Sequence, residues 1–243
     1  MPFKYPKLCI ISILLLFSLI ALPAKAGSPR YINPEETMRL IKENKALTVD
    51  TMSHIECMDH RIPGSICIAL EEFDKDAPSL MKDKKRTTVF YCESKNCRRA
   101  GEVYQKALAM GYEDIYILKG GLPEWKSAGY EVETIKRVRR TPVVSIKINQ
   151  LEKMKAEKKN LLILDVRTED MFKKGHIEGA MNMPMYMLHK KFHSIPGSRP
   201  IIVVDENGKR SFIVCSFLIN NGFKDVQRLF GGMAFKEKQD RIR

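Results

Sequence analysis

Short apolar runs alternate with stretches of helical period along most of the chain. Ala46-Leu-Thr-Val-Asp50, Thr88-Val-Phe-Tyr-Cys92 and Ile115-Tyr-Ile-Leu118 are continuous runs of strand length. Leu161-Leu-Ile-Leu-Asp165, Ile201-Ile-Val-Val-Asp205 and Val226-Gln-Arg-Leu-Phe230 follow in the same order in the second half. Runs this short without polar alternation predict strands buried on both faces, and the amphipathic segments between them predict helices. Strands alternating with helices predict an α/β chain with parallel sheets.

The pattern occurs twice. Ile32-Asn-Pro-Glu-Glu-Thr-Met opens one half and Ile148-Asn-Gln-Leu-Glu-Lys-Met the other, each with an Asn placed to N-cap a helix. Arg61-Ile-Pro-Gly-Ser65 matches His176-Ile-Glu-Gly-Ala180, and Gly111-Tyr matches Gly222-Phe. Such self-similarity predicts two copies of one unit, at 31–134 and 145–243, joined by a basic linker over 135–144 that contains Lys136-Arg-Val-Arg-Arg-Thr-Pro142. The first 26 residues differ. Lys4 and Lys7 precede an almost unbroken apolar run from Leu8 to Leu22, and Ala24-Lys-Ala26 follows. This order is that of a cleaved export signal, so the mature chain is expected to begin at Gly27 with no stable membrane span, in the periplasm or outside the cell.

Charge and cysteine content sharpen this picture. The net charge of +13 falls to +10 without the three lysines of the leader, which points to anionic ligands or partners. No basic stripe is interleaved with aromatics, so nucleic acid is not an expected partner. Beyond Cys9 stand Cys57, Cys67, Cys92, Cys97 and Cys215, an odd number for an oxidising compartment. Cys57 and Cys67 flank the Arg61 loop and are read either as a disulfide or as buried thiols. No Cys or His pair has zinc-ligand spacing within one loop, and no glycine-rich phosphate loop follows a strand, so neither metal nor organic cofactor is expected.

Three segments, Asp165-Val-Arg167, Gly175-His-Ile-Glu-Gly-Ala180 and Leu118-Lys-Gly-Gly-Leu-Pro-Glu-Trp-Lys-Ser-Ala-Gly-Tyr130, resemble the signature segments of the rhodanese family. The resemblance implies two tandem rhodanese-like domains, each a short, mostly parallel sheet with helices on both faces. It also implies a sulfurtransferase in which Cys92 carries sulfane sulfur as a persulfide. Thiosulfate, polysulfide or a protein persulfide would be the donor and a thiol the acceptor. The residues fit that role: Cys92 ends a strand, and Glu93, Ser94, Lys95, Asn96, Cys97 and Arg98 form the loop entering the next helix. Backbone N–H groups turned inward and a helix N-terminus favour a thiolate, and Lys95, Arg98 and Arg99 are expected to add positive field.

Cys92 to Gly111 spans 19 positions and Asp205 to Gly222 spans 17, which predicts a first loop longer by about two residues. The longer loop places Cys97 as a candidate resolving thiol, so a thiol or persulfide relay, or a binding module using Cys92 and Cys97, is the alternative function. Cys92 and Arg98 also form a Cys-x5-Arg pattern resembling rhodanese-fold phosphatases and arsenate reductases, which ranks below both. The second copy has Asp205 where the nucleophile belongs and is expected to be silent in sulfur transfer. Its Asp165, Arg167 and His176 are read as a network bracing the loop, Cys215 as core, and Phe235 as the aromatic matching Trp125.

Overall fold

A computed structural model describes residues 28–95, 98–157 and 160–240. The expected leader and two residues of the candidate loop, Asn96 and Cys97, lie outside the described residues.

The first unit runs β1 (Tyr31–Ile32), α1 (Pro34–Lys42), β2 (Ala46–Asp50), α2 (His54–Asp59), β3 (Ile66–Cys67), α3 (Phe73–Leu80), β4 (Thr87–Tyr91), α4 (Arg98–Ala109), β5 (Ile115–Leu118) and α5 (Gly121–Ser127). The second runs β6 (Ser145–Ile146), α6 (Ile148–Glu157), β7 (Leu162–Asp165), α7 (Glu169–Lys174), β8 (Met181–Asn182), α8 (Met185–Lys191), β9 (Ile201–Val204), α9 (Ser211–Asn220), β10 (Val226–Leu229) and α10 (Gly232–Asp240). Their sheets have the orders β1-β5-β4-β2-β3 and β6-β10-β9-β7-β8, with parallel pairing between neighbouring strands. The chain is thus two α/β units with the same topology, as the duplicated pattern predicts.

Both faces of each sheet are buried, which is why the strands lack polar alternation. On β4, Phe90 packs with Phe73, Val103 and Tyr104, while Val89 and Tyr91 pack with Leu122 and Trp125 on the opposite face. On β9, Ile201 and Val203 face Val214 and Leu218, whereas Ile202 and Val204 face Leu151 and Met233. The units also share apolar surface: Ile55 of α2 joins Val138 in the cluster of the second unit. Among the described residues two ion pairs cross between them, Arg210–Glu56 at 3.3 Å and Lys190–Glu72 at 2.7 Å, and Arg140 of the linker pairs with Asp59 at 2.9 Å.

Three expectations are corrected. Asn33 does cap α1, its Oδ1 accepting from the Glu36 N–H at 2.8 Å, but Asn149 lies inside the first turn of α6. There the Gln150 side chain accepts the Lys147 N–H at 2.8 Å instead. Second, the two extra positions of the first unit sit in the helix. Both helices begin six positions after Cys92 or Asp205, but α4 has 12 residues and α9 has 10. The first loop is therefore not the longer one. Third, Phe235 does not take the place of Trp125. A Cβ on Gly120 would meet Glu124, and one on Gly231 would meet Phe235, which aligns Phe235 with Glu124 and puts Lys236 opposite Trp125.

Candidate functional site

The carboxyl ends of β2, β4 and β5 converge on Cys92. Its carbonyl accepts the Leu122 N–H at 2.9 Å, so the start of α5 is held against the end of β4. Gly121 makes that approach possible: its φ is +62°, and a Cβ there would lie 2.6 Å from the Cys92 carbonyl oxygen. Both backbone strain and a clash with backbone oppose any side chain. Gly121→Ala should therefore cost about 2 kcal/mol or more, read as a lowered urea midpoint with an unchanged slope.

Cys92 is 3% exposed, and its Sγ lies 3.6 Å from the Ser94 carbonyl oxygen. It is disulfide-bonded, and among the described residues only Cys215 is a free thiol. A cavity of about 290 Å³ adjoins it, lined by Tyr31, Ser94, Lys95, Arg98 and Gly120 among others. Cys97, the expected resolving residue, and Asn96 are outside the described residues.

The positive field expected from the loop cations is largely compensated. Lys95 lies 3.1 Å from Glu124, and Arg98 is 92% exposed and 3.9 Å from Glu102. Arg99 turns inward, gripping both Glu71 oxygens at 2.8 and 2.6 Å and donating to the Thr51 carbonyl at 3.0 Å. Arg99 thus braces the loop below β2. Glu93 is held by an imidazole: His60 Nε2 lies 2.8 Å from Glu93 and Nδ1 lies 3.1 Å from Asp59. The Glu93 hydrogen bond raises the His60 pKa above its usual value. His60 was invisible in the linear pattern because its partners are 33 residues downstream and in the adjacent position.

Beneath the loop, the two units differ in a way that matters electrostatically. In the second, Arg167 pairs with Asp165 at 2.7 Å and donates to the Gly175 carbonyl. In the first, Met52 stands where Arg167 stands, and Asp50 is left 2% exposed with the Met52 N–H donating to it at 2.8 Å. Burial pushes the Asp50 carboxyl up to about 7. Between its ordinary 3.8 and about 7 the native state holds a proton that the unfolded chain releases, so stability falls as pH rises through this window. Asp50→Asn should remove that slope and gain on the order of 2 kcal/mol at pH 8, with little change at pH 4, measured by urea unfolding.

Cys57 and Cys67 form a disulfide, with Cα atoms 5.9 Å apart, that ties α2 to β3. Arg61 sits beside it: its Nη1 lies 3.5 Å from Cys67 Sγ, while its Nε donates to Glu133 at 2.7 Å. The guanidinium thereby pins the segment after α5 to the Arg61 loop, where Arg61 and Glu133 also form an isolated backbone bridge.

The matching loop in the second unit has closed on its own side chain. Asp205 Oδ1 accepts the Gly208 N–H at 2.8 Å, and Oδ2 accepts the N–H groups of Arg210 and Ser211 at 2.7 and 3.0 Å. Its carbonyl accepts the Met233 N–H at 2.9 Å, repeating the contact between Cys92 and Leu122. Arg167 adds a bond to Glu206 at 3.5 Å, so it does brace the loop. His176 does not: it is exposed, stacked on Phe172 and bonded to the Phe172 carbonyl. Cys215 is buried in α9, and burial pushes its thiol up to about 12. The two loops approach each other across a cavity of about 500 Å³ lined by Glu93 and Ser94 on one side and Asn207, Lys209 and Arg210 on the other.

The rhodanese-like domain family matches residues 33–128 and again 147–235. A sulfurtransferase of Allochromatium vinosum is 29% identical over 91 residues, covering 37% of this chain and 85% of the relative. A thiosulfate sulfurtransferase, GlpE, of Shewanella oneidensis is 35% identical over 89 residues, covering 37% of this chain and 87% of the relative. Among solved structures, a thiosulfate sulfurtransferase from Pseudomonas aeruginosa aligns with a TM-score of 0.43 at 20% identity, covering 84% of this chain and 43% of that one. With both units matched, the chain belongs to the rhodanese-like domain family.

Proposed function

We propose that this protein is an exported sulfurtransferase that carries sulfane sulfur on Cys92, with the leader removed after Ala26 and the mature chain in the periplasm or outside the cell. The observation that supports this most is the second unit's own loop. The matching loop, at the same strand end, holds a carboxylate on three backbone N–H groups. The loop after Cys92 would hold the anionic end of a persulfide in the same manner.

In this reading the Cys92 thiolate attacks the outer sulfur of thiosulfate. A sulfur–sulfur bond forms to Cys92, and sulfite departs with the electron pair of the bond that breaks. An acceptor thiolate then attacks the terminal sulfur of the persulfide, and the Cys92 thiolate leaves. Asp205 has no sulfur with which to do this, so the second domain is silent in transfer.

A specific observation favours a second reading, the relay. Cys92 is disulfide-bonded, and a disulfide sulfur is not a nucleophile. In the relay, the Cys97 thiolate attacks Cys92 Sγ of the persulfide. Hydrosulfide leaves, a Cys92–Cys97 disulfide remains, and an external dithiol must reduce it before the next cycle. Dithiol-dependent release of sulfide from thiosulfate by the Cys97→Ser variant separates the two. Unchanged release supports transfer through Cys92 alone, and a loss of tenfold or more supports the relay.

A further inference from the structure

Residues 136–139 of the basic linker line no part of the cavity at Cys92, yet they close a cavity of their own. This space of about 420 Å³ lies between α2, the linker and the α8–α9 side of the second unit. It shares no lining residue with the cavity at Cys92. Its volume falls in the range of small-molecule sites.

The linker is held as a strap. The Lys136 N–H donates to the Met58 carbonyl at 2.9 Å, and the Val138 N–H donates to Asp59 at 2.7 Å. Asn220 then donates to the Arg139 carbonyl at 2.8 Å from the other side. Lys136, Arg137 and Arg139, all exposed, line the cavity. Lys136 and Arg139 make no ion pair among the described residues, and no carboxylate lines the space. The nearest acids are already occupied: Glu72 is paired with Lys190, and Asp59 with Arg140 and the Val138 N–H.

The rest of the wall is apolar. Ile55 and Phe217 are buried, and Phe192 meets Phe217 edge-on with ring centroids 5.3 Å apart. Between the cationic and apolar parts, His54 of the first unit stacks on His189 of the second at 4.2 Å. Burial lowers both imidazoles, His189 to about 4, so both are neutral at pH 7. The His189 Nδ1 is buried and makes no hydrogen bond of ordinary geometry. A buried ring nitrogen left in this state costs free energy unless a ligand or water reaches it.

We propose that this cavity binds a small organic anion with an apolar body, a carboxylate or sulfonate on an acyl or aromatic frame. The cationic strap meets the charged end, and Phe192, Phe217 and Ile55 bury the body. Neither a cation nor a purely apolar molecule satisfies both parts of the wall.

The test uses the full mature chain, titrated calorimetrically with sodium decanoate, decanol and decylammonium, while the histidine ring protons are followed by NMR. Decanoate is expected to bind one to one and to move the His54 and His189 resonances. Decanol and decylammonium should bind at least tenfold more weakly. The double variant Lys136→Glu, Arg139→Glu changes only exposed side chains and should weaken decanoate at least tenfold with its thermal midpoint retained. The proposal is overturned by equal binding of decanol or decylammonium, by undiminished binding to the double variant, or by no saturable binding of decanoate at all. None of these readouts depends on sulfur transfer, so their failure leaves the reading of Cys92 untouched.

Discussion

Asp205→Ala should be the most destabilising single substitution in the second domain, costing about 3–5 kcal/mol, because three backbone N–H groups lose a charged acceptor at once. Asp205→Asn keeps one acceptor oxygen and should cost about half as much. The loss has a distinctive signature. The emptied loop becomes a site for a free anion, so millimolar sulfate or thiosulfate should raise the melting temperature of Asp205→Ala by several degrees and leave the parent protein almost unmoved. Differential scanning calorimetry with and without sulfate reads both effects. Equal stabilisation of parent and variant would mean that the loop does not cradle anions, and would weaken the parallel drawn for the loop after Cys92.

The second large effect is on turnover. Cys92→Ser should lower thiosulfate-to-cyanide transfer by a factor of about 10³ or more, because a hydroxyl cannot hold sulfane sulfur at this site. Cys215→Ala should leave transfer intact, since that thiol is buried in α9 and pushed up to about 12. Residual activity in Cys92→Ser that disappears in Cys215→Ala would reverse the assignment of the two domains.

The architecture was legible because it rests on period and repetition. Buried strands such as Thr88-Val-Phe-Tyr-Cys92 leave a continuous apolar run, and a duplicated order of such runs leaves two identical sheets. Glycine pairs were legible for a steric reason, since Gly121 and Gly232 each sit against the backbone of the site strand. What the linear pattern missed was pairing across space. Counting from Cys92 to Gly111 suggested a longer loop, yet the extra positions continue α4, because nothing in Arg98–Ala109 breaks the helix earlier. The loop cations promised a positive field, but Glu71, Glu102 and Glu124 come from other turns to meet them. The grip of Asp205 on its own loop was hidden as well. A carboxylate in the nucleophile position reads as a loss of function, and only its hydrogen bonds reveal it as an anion built into an anion site.

In the first unit Cys92 stands in place of Asp205, and Met52 in place of Arg167 of the Asp165–Arg167 pair. This unit spends its stabilising contacts differently, on the Cys57–Cys67 disulfide, the Arg61–Glu133 pair and the His60–Glu93 bond. This difference accords with the proposed division of labour, in which Cys92 carries the chemistry and Asp205 keeps its own loop closed.

The most direct measurement is the intact mass of the mature protein, reduced with a dithiol, freed of reductant and exposed to thiosulfate, with every cysteine then mapped by peptide. The account predicts one added sulfur atom, located on Cys92 and removed by cyanide. No sulfur uptake by the reduced protein, or sulfur on any other cysteine, would contradict it.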